Sequence, residues 1–150
     1  MQVVHIRTED IPDILRTSEE CGLCLWSPEA YRAELCRNDS IMLKAIDRQN
    51  RFAGFAVGRI FETDELRYIA ELTNIGVRQI CQRQGFGCLL LKSFIEKCLA
   101  ARVISIVLEV RASNATAIRF YQMFGFTQSG LRRSFYSHPE EDALTMQLVL

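Results

Sequence analysis

The segment Gly85–Leu99 constrains the fold most. Leu90, Phe94 and Cys98, with Leu91, Ile95 and Leu99, recur at intervals of three and four, which only an α-helix gathers into one apolar stripe. Ahead of it Leu66–Val77 reads as a strand. Behind it Val103–Val110 is nearly unbroken apolar sequence, the pattern of a strand buried on both faces.

The other segments complete a layered domain. Val3–Arg7 reads as a short strand, and Glu9–Glu20 as a helix with Ile11, Ile14 and Leu15 on one face. Ser27-Pro28 pairs an N-cap with a first-turn proline and starts a helix running to about Arg37. Ile41–Ile46 and Phe52–Phe61 form a hairpin across the Asp47–Asn50 turn, and a charged turn at Glu62–Glu65 leads on to Leu66. Asn114–Phe124 is a helix ended by Gly125. Thr127–Tyr136 and Ala143–Leu150 pair as a last hairpin. The order βααβββαβαββ predicts an α/β domain with a central mixed sheet and helices on both faces. A length of 150 residues suits a single domain, 1–150.

Composition removes several function classes. A formal net charge of zero argues against a general nucleic-acid binder, which needs a basic excess. Apolar stretches such as Val103–Leu108 are too short to span a bilayer. Met1-Gln2-Val3-Val4-His5 has no basic-then-apolar secretion pattern, so no membrane partner is expected and a cytoplasmic location is. In that reducing setting the cysteines at 21, 24, 36, 81, 88 and 98 read as small buried thiols. Cys21-Gly22-Leu23-Cys24 is the only CxxC, there is no second ligand pair, and His counts 2, so no metal is expected.

Gln82-Arg83-Gln84-Gly85-Phe86-Gly87 stands between a strand and the long helix. A helix start offers unpaired N–H groups and partial positive charge, which suit a pyrophosphate. Gly85 and Gly87 let backbone approach phosphate, and Arg83 adds charge. The segment lacks both GxGxxG and the Gly-Lys-Ser/Thr of a Walker loop. By itself it reads equally well as a helix start with convenient glycines.

Read in order, Asn74-Ile75-Gly76-Val77, Gln82–Gly87, Leu108-Glu109-Val110-Arg111-Ala112-Ser113-Asn114, Ala117-Ile118-Arg119-Phe120-Tyr121 and Phe124-Gly125-Phe126 resemble the GNAT superfamily of acetyl-CoA-dependent N-acetyltransferases. The run LEVRASNATAIRFY, with Arg132–Tyr136 and Glu141-Asp142-Ala143, resembles its bacterial ribosomal-protein-alanine (RimI-type) branch. The likeness is strong from about Leu72 onward and looser before it, where Trp26-Ser27 matches best. Two departures stand out. Val77-Arg78-Gln79-Ile80 lacks the family's proline, and the Phe61–Tyr68 turn is longer than usual, which would alter a substrate groove.

The resemblance implies a mostly antiparallel GNAT sheet with a bulged strand diverging from a parallel neighbour. Acetyl-CoA would lie in that opening against Ile75, Gly76 and Val77, with the Val77 N–H polarising the thioester. Its pyrophosphate would meet Arg83, Gln84, Gly85, Phe86, Gly87 and Cys88, and Asn114 would hold the cofactor arm. Glu109 would be the general base, since an α-amine with pKa about 8 is mostly protonated at neutral pH. From the residues alone, Glu109 reads equally as half of an ion pair with Arg111 or another arginine. Glu71 is a rival base. Unbroken alternation would put Glu71, Thr73, Ile75 and Val77 on one face, and a bulge would not. Tyr121, seven residues after Asn114, lies on the same helix face about 10 Å along the axis. It would be the general acid, its ordinary pKa near 10 matching an alkyl thiol.

The resemblance implies as partner a protein N-terminus, in the ribosomal class the branch is named for, in a groove between Trp26 and Tyr136–Asp142. Glu62, Asp64, Glu65, Glu140, Glu141 and Asp142 would favour a basic peptide there. The expected state is a monomer or weak dimer. A lysine, another N-terminus or a small amine stay open as substrates. A non-catalytic acetyl-CoA-binding module would be expected to lack the carboxylate or the tyrosine, and both are present.

Overall fold

The apolar stripe of the long helix packs on one face of a sheet whose two central strands separate halfway along. The computed structural model describes residues 1–150. Its elements are β1 (Gln2–His5), α1 (Ile11–Glu20), α2 (Pro28–Leu35), β2 (Ser40–Ile46), β3 (Phe52–Glu62), β4 (Tyr68–Val77), α3 (Phe86–Ala100), β5 (Val103–Arg111), α4 (Ala115–Met123), β6 (Thr127–Ser137) and β7 (Glu140–Val149). Single 3₁₀ turns at Thr8–Asp10 and Gln79–Cys81 precede α1 and follow β4. The seven strands form one sheet in the order β1-β2-β3-β4-β5-β7-β6. Only β4 and β5 run parallel. This is the mixed, mostly antiparallel α/β architecture expected from the sequence.

Local signals set the helix ends. Ser27 Oγ accepts from the Ala30 N–H at 3.1 Å, with Pro28 in the first turn. Asn114 Oδ1 caps α4 through the Ala117 N–H at 3.1 Å. Each face of the sheet has its own core. Leu90, Leu91 and Phe94 of α3 and Tyr121 of α4 pack with Ala70, Leu72, Ile106 and Leu108. On the other face Ile11 and Ile14 of α1 and Tyr31 of α2 pack with Phe55 and Val57. Fully burying one such phenylalanine or leucine stabilises the fold by about 1.5–3 kcal/mol.

Three strand expectations change. β4 starts at Tyr68, because Leu66 has a φ of 58° and belongs to the turn. β7 starts at Glu140, not Ala143. The charged residues read as turn are paired strand, Glu141 opposite Tyr136. β5 is buried or half-buried throughout except at Ile104, which is 40% exposed and is skipped where Tyr68 pairs with Val103 and Ile69 with Ser105.

The main irregularity is a bulge. Val57 pairs with Asn74 and Gly58 with Leu72, leaving Thr73 unopposed, and its hydroxyl donates to the Val57 carbonyl at 2.9 Å. The bulge inverts the alternation of β4. Ala70 and Leu72 face α3, and so do Ile75 and Val77. Gly76 faces α1, where an added Cβ would meet Leu23 Cδ1 at 3.1 Å and Thr17 Cγ2 at 3.4 Å. Glu71, Ile75 and Val77 therefore do not share a face. Pairing between β4 and β5 stops at Leu72 and Leu108. Beyond it, β4 runs on to Val77 and β5 to Arg111 with no bond between them.

Gly58 holds this region closed, since a Cβ there would collide with the Glu71 carbonyl and the Phe94 ring. Gly58→Ala is expected to lower stability by about 1–3 kcal/mol, read as a drop in thermal midpoint.

Candidate active site

The opening between β4 and β5 is lined by backbone. The Arg78 N–H donates to the Ala53 carbonyl at 2.9 Å. Alternation along an antiparallel pair then turns Gly76 toward β3, and the amides of Ile75 and Val77 toward the gap. The Val77 carbonyl accepts from Gln82 Nε2 at 3.1 Å and from the Cys21 thiol at 3.3 Å. Gly76 serves the site indirectly, by letting α1 close on the strand.

The Gln82–Gly87 loop follows. Leu89 is the first amide of α3 with a backbone acceptor, the Gly85 carbonyl at 3.0 Å. The amides of Phe86, Gly87 and Cys88 ahead of it have none, nor does any side chain cap the helix. Gly85 sits at φ 91° and Arg83 at φ 63°, so the chain turns its amides into a concave nest, a shape that binds anions. Gln84 Nε2 ties the turn to the Ile80 carbonyl at 3.0 Å, and buried Phe86 anchors it in the core. Arg83 and Cys88 are exposed; Cys24 and Cys36 are exposed too, and only Cys98 is buried as expected of all six thiols, since the others lie in loops or at helix surfaces. A Cβ on Gly87 would meet only ordinary contacts, the Phe120 ring at 3.7 Å. Protein packing alone does not require glycine there. Glu20 braces the segment, accepting from the Gln79 N–H at 2.9 Å and facing Arg78 at 3.7 Å.

Glu109 lies one residue past the last β4–β5 pair. Its neighbours Leu108 and Val110 face α3, so alternation points Glu109 to the α1 face. Its side chain is 19% exposed and accepts from Arg132 Nη1 at 2.5 Å. Arg111, the partner the sequence suggested first, is engaged elsewhere. Its guanidinium lies 4.2 Å from the Tyr136 ring centroid and donates to the His138 and Pro139 carbonyls. Glu71 points to the same face as Glu109 but sits where β4 and β5 are still paired, opposite Val107.

Tyr121 approaches from the other face. It belongs to the α3-side core, its ring 5.7 Å from that of Phe126. Burial, reinforced by Tyr136, pushes its hydroxyl well above the ordinary tyrosine range, and no hydrogen bond offsets this. The expected value near 10 does not apply. Asn114 is exposed at the start of the same helix. Its Oδ1 is committed to the cap, which leaves its amide N–H groups available.

On the hairpin side of the expected groove, Glu141 lies opposite Tyr136, and the hairpin's acidic residues have partners of their own. Cys24, in the loop after α1, lies near enough to Tyr136 to raise its pKa, although burial is the larger cause. Trp26 stacks at 5.1 Å on Tyr31. Glu140 and Glu141 accept from the hydroxyls of Ser134 and Ser113, and Asp142 from the Ser134 N–H. These contacts fasten the hairpin. Glu62, Asp64 and Glu65 lie in the β3–β4 turn, at the end of β4 away from Val77, so the longer turn does not shape the opening. Sequence reasoning missed the contacts of Cys21, Gln82 and Arg132. The Cys21 and Arg132 bonds span 56 and 23 residues and leave no local pattern, whereas the Gln82 bond reaches back only five residues. No helix is long and apolar enough to cross a membrane.

Splayed parallel strands beside a nest of free amides define a class of acyl-transfer fold, and the sequence agrees. The profile of the Acetyltransferase (GNAT) family matches residues 9–126. The chain belongs to that family and is an acyltransferase. It is 31% identical over 148 residues to the [ribosomal protein bS18]-alanine N-acetyltransferase of Escherichia coli K12, covering 97% of this chain and 95% of that protein. The crystal structure of the ribosomal-protein-S18-alanine N-acetyltransferase from Escherichia coli superposes with a TM-score of 0.84 at 29% identity, covering 99% of this chain and 92% of that one. Arabidopsis thaliana NAA60, solved in complex with acetyl-CoA, shares the fold with a TM-score of 0.87 at 16% identity, covering 99% and 97%.

The room around Gly87 gives a test with two signs. Gly87→Ala is expected to stabilise the helix by about 0.5 kcal/mol and to weaken acetyl-CoA binding roughly tenfold by blocking close approach. Melting and calorimetry read the two effects separately. Gly85 is less suitable, since its φ of 91° strains any side chain there.

Proposed function

We propose that this chain transfers the acetyl group of acetyl-CoA to a protein N-terminal amine, that of an alanine-starting small-subunit ribosomal protein, with bS18 the first to test. Residues 1–150 act as one domain, in the cytoplasm. The observation that carries the reading is the opening between β4 and β5, with a carboxylate on one face and a phenol on the other. The bS18-alanine acetyltransferases similar to it along nearly its whole length support the choice of substrate.

The site's own residues suit acetyl-CoA. The free amides from Phe86 to Cys88 and the Arg83 guanidinium would hold a pyrophosphate. The outward amides of Ile75 and Val77 would bind an extended arm as a further strand, and Asn114 would donate to it. Val77 N–H would then donate to the thioester oxygen as negative charge develops there. Glu109 takes a proton from the incoming α-ammonium, directly or through water, so that the amine can attack. Tyr121 gives its proton to the leaving sulfur, and the second proton, shed by the nitrogen as the neutral amide forms, returns to the Tyr121 phenolate directly or through water. Attack is direct, in a ternary complex, and no cysteine is needed as nucleophile. Base and acid act from opposite faces, so neither blocks the other's reactant.

Glu109→Gln should lower kcat by about 10²–10⁴-fold with acetyl-CoA affinity nearly unchanged. A crippled Glu71→Gln beside a fully active Glu109→Gln would show the base to be Glu71. Mass spectrometry of ribosomal proteins incubated with enzyme and acetyl-CoA checks the substrate, by a single acetyl on one N-terminus.

Tyr121→Phe should slow transfer without lowering the thermal midpoint, because no hydrogen bond engages the hydroxyl. Its defect should shrink with a thioester whose thiol is much more acidic, since that thiol leaves unprotonated. An equal defect with both thioesters, when chemistry limits the rate, would remove Tyr121 as the acid.

A further inference from the structure

We infer that Arg132 is an internal competitor for the substrate amine. It occupies on Glu109 the place that the incoming α-ammonium must take. The inference rests on Glu109 being the carboxylate that receives the amine.

The geometry is specific. Arg132 lies on β6 opposite Ala143 of β7, and Glu109 on β5 opposite Thr145 of β7. The arginine therefore reaches across a whole intervening strand. Its Nη1 donates to Glu109 Oε1 at 2.5 Å, a charge-assisted bond to the carboxylate that faces the α1 side of the opening. The other arginine nearby, Arg111, is held by the Tyr136 ring and two hairpin carbonyls. The two arginines divide the work, Arg111 fixing the hairpin and Arg132 facing Glu109.

The pair is built to exchange. The Arg132 side chain is 59% exposed against 19% for Glu109. Its guanidinium carbon lies 5.1 Å from the centroid of the half-exposed Phe135 ring, and β6 is irregular between Arg132 and Tyr136, with Ser134 at φ 50°. Swinging Arg132 into water exposes little new surface, whereas Glu109 stripped of every cation would be a half-buried charge without a partner. An ammonium can take the place because it brings the same charge and the same N–H donors. The neutral acetylated product cannot. Once Glu109 has passed its proton to solvent, Arg132 re-pairs with it and the amide is left without a charged partner. Arg132 thus weakens binding of the cationic amine and leaves that of the neutral product unchanged. It is a positioning residue that acts through Glu109.

The probe is a tetrapeptide beginning with alanine, bound to the CoA-saturated chain and followed by calorimetry, with its N-acetylated form as control. Arg132→Gln should tighten the free-amine peptide roughly two- to tenfold, the range of a partly exposed ion pair, and lower its KM, while the KM for acetyl-CoA stays. The acetylated peptide should not respond. Arg132→Lys, which keeps a cation, should stay near the wild type. In a Glu109→Gln background, Arg132→Gln should have no effect on peptide affinity. Three results overturn the proposal: unchanged or weaker peptide binding in Arg132→Gln, equal tightening of the acetylated control, or the same tightening with and without Glu109. A purely structural arginine would lower the thermal midpoint and leave the free-amine and acetylated peptides equally affected. Failure of Glu109 as base shows separately, as full turnover in Glu109→Gln.

Discussion

One unpaired residue, Thr73, governs the rest of the structure. An extra residue in β4 bends and twists the strand away from β5, and the only parallel pairing in the sheet ends there. A parallel pair in the middle of a sheet would normally satisfy its own backbone and leave nothing to bind. Here the amides of Ile75 and Val77 face the gap. The bulge also turns Asn74 and Gly76 toward α1 while Ile75 and Val77 stay on the α3 side. One irregularity both opens the sheet and decides which side chains surround the opening.

That opening is reached from two layers with different chemistry. The α3 side is apolar and closed, with Phe94, Phe126 and Tyr121 buried. The α1 side carries Glu71, Glu109, Arg111 and Arg132, because α1 and α2 do not extend over β5. The β6–β7 hairpin is held over this polar side by side chains from the C-terminal end of β5 and just beyond, Arg111 beneath Tyr136 and Ser113 against Glu141. Under the proposed function, a charged peptide end would suit the polar side and a thioester arm the apolar side. The fold separates the two before any catalytic residue is considered.

Much of this was legible in the sequence because local rules set it. The stripe of α3, the caps at Ser27 and Asn114 and the stop at Gly125 act within one or two helical turns, and they stand where the pattern put them except at Leu99, which is 53% exposed. The bulge was legible only as a resemblance, since Leu72-Thr73-Asn74 carries no signal that one residue will be skipped. Ile104 was read as buried because apolar sequence does not say whether a helix will cover it. Glu140–Asp142 were read as turn because charge usually marks turns, yet Ser113 and Ser134 satisfy them within paired strand. The partner of Glu109 was narrowed to an arginine but not to Arg132, which lies two strands away.

The high pKa of Tyr121 raises the question of how so weak an acid could serve a thiolate. The same core supplies a gauge. Cys98, a thiol buried on the α3 side, is pushed by desolvation alone from 9.0 to about 12. Burial disfavours the anion of a thiol as it does that of a phenol. Under the proposed mechanism, a sulfur leaving next to Tyr121 would share this apolar environment, and its basicity would rise along with the tyrosine's. What drives the transfer is the difference between the two, and burial raises both in the same direction. In the proposed mechanism, the Tyr121 proton would stay on oxygen until sulfur carried charge, which is when a general acid has to release it.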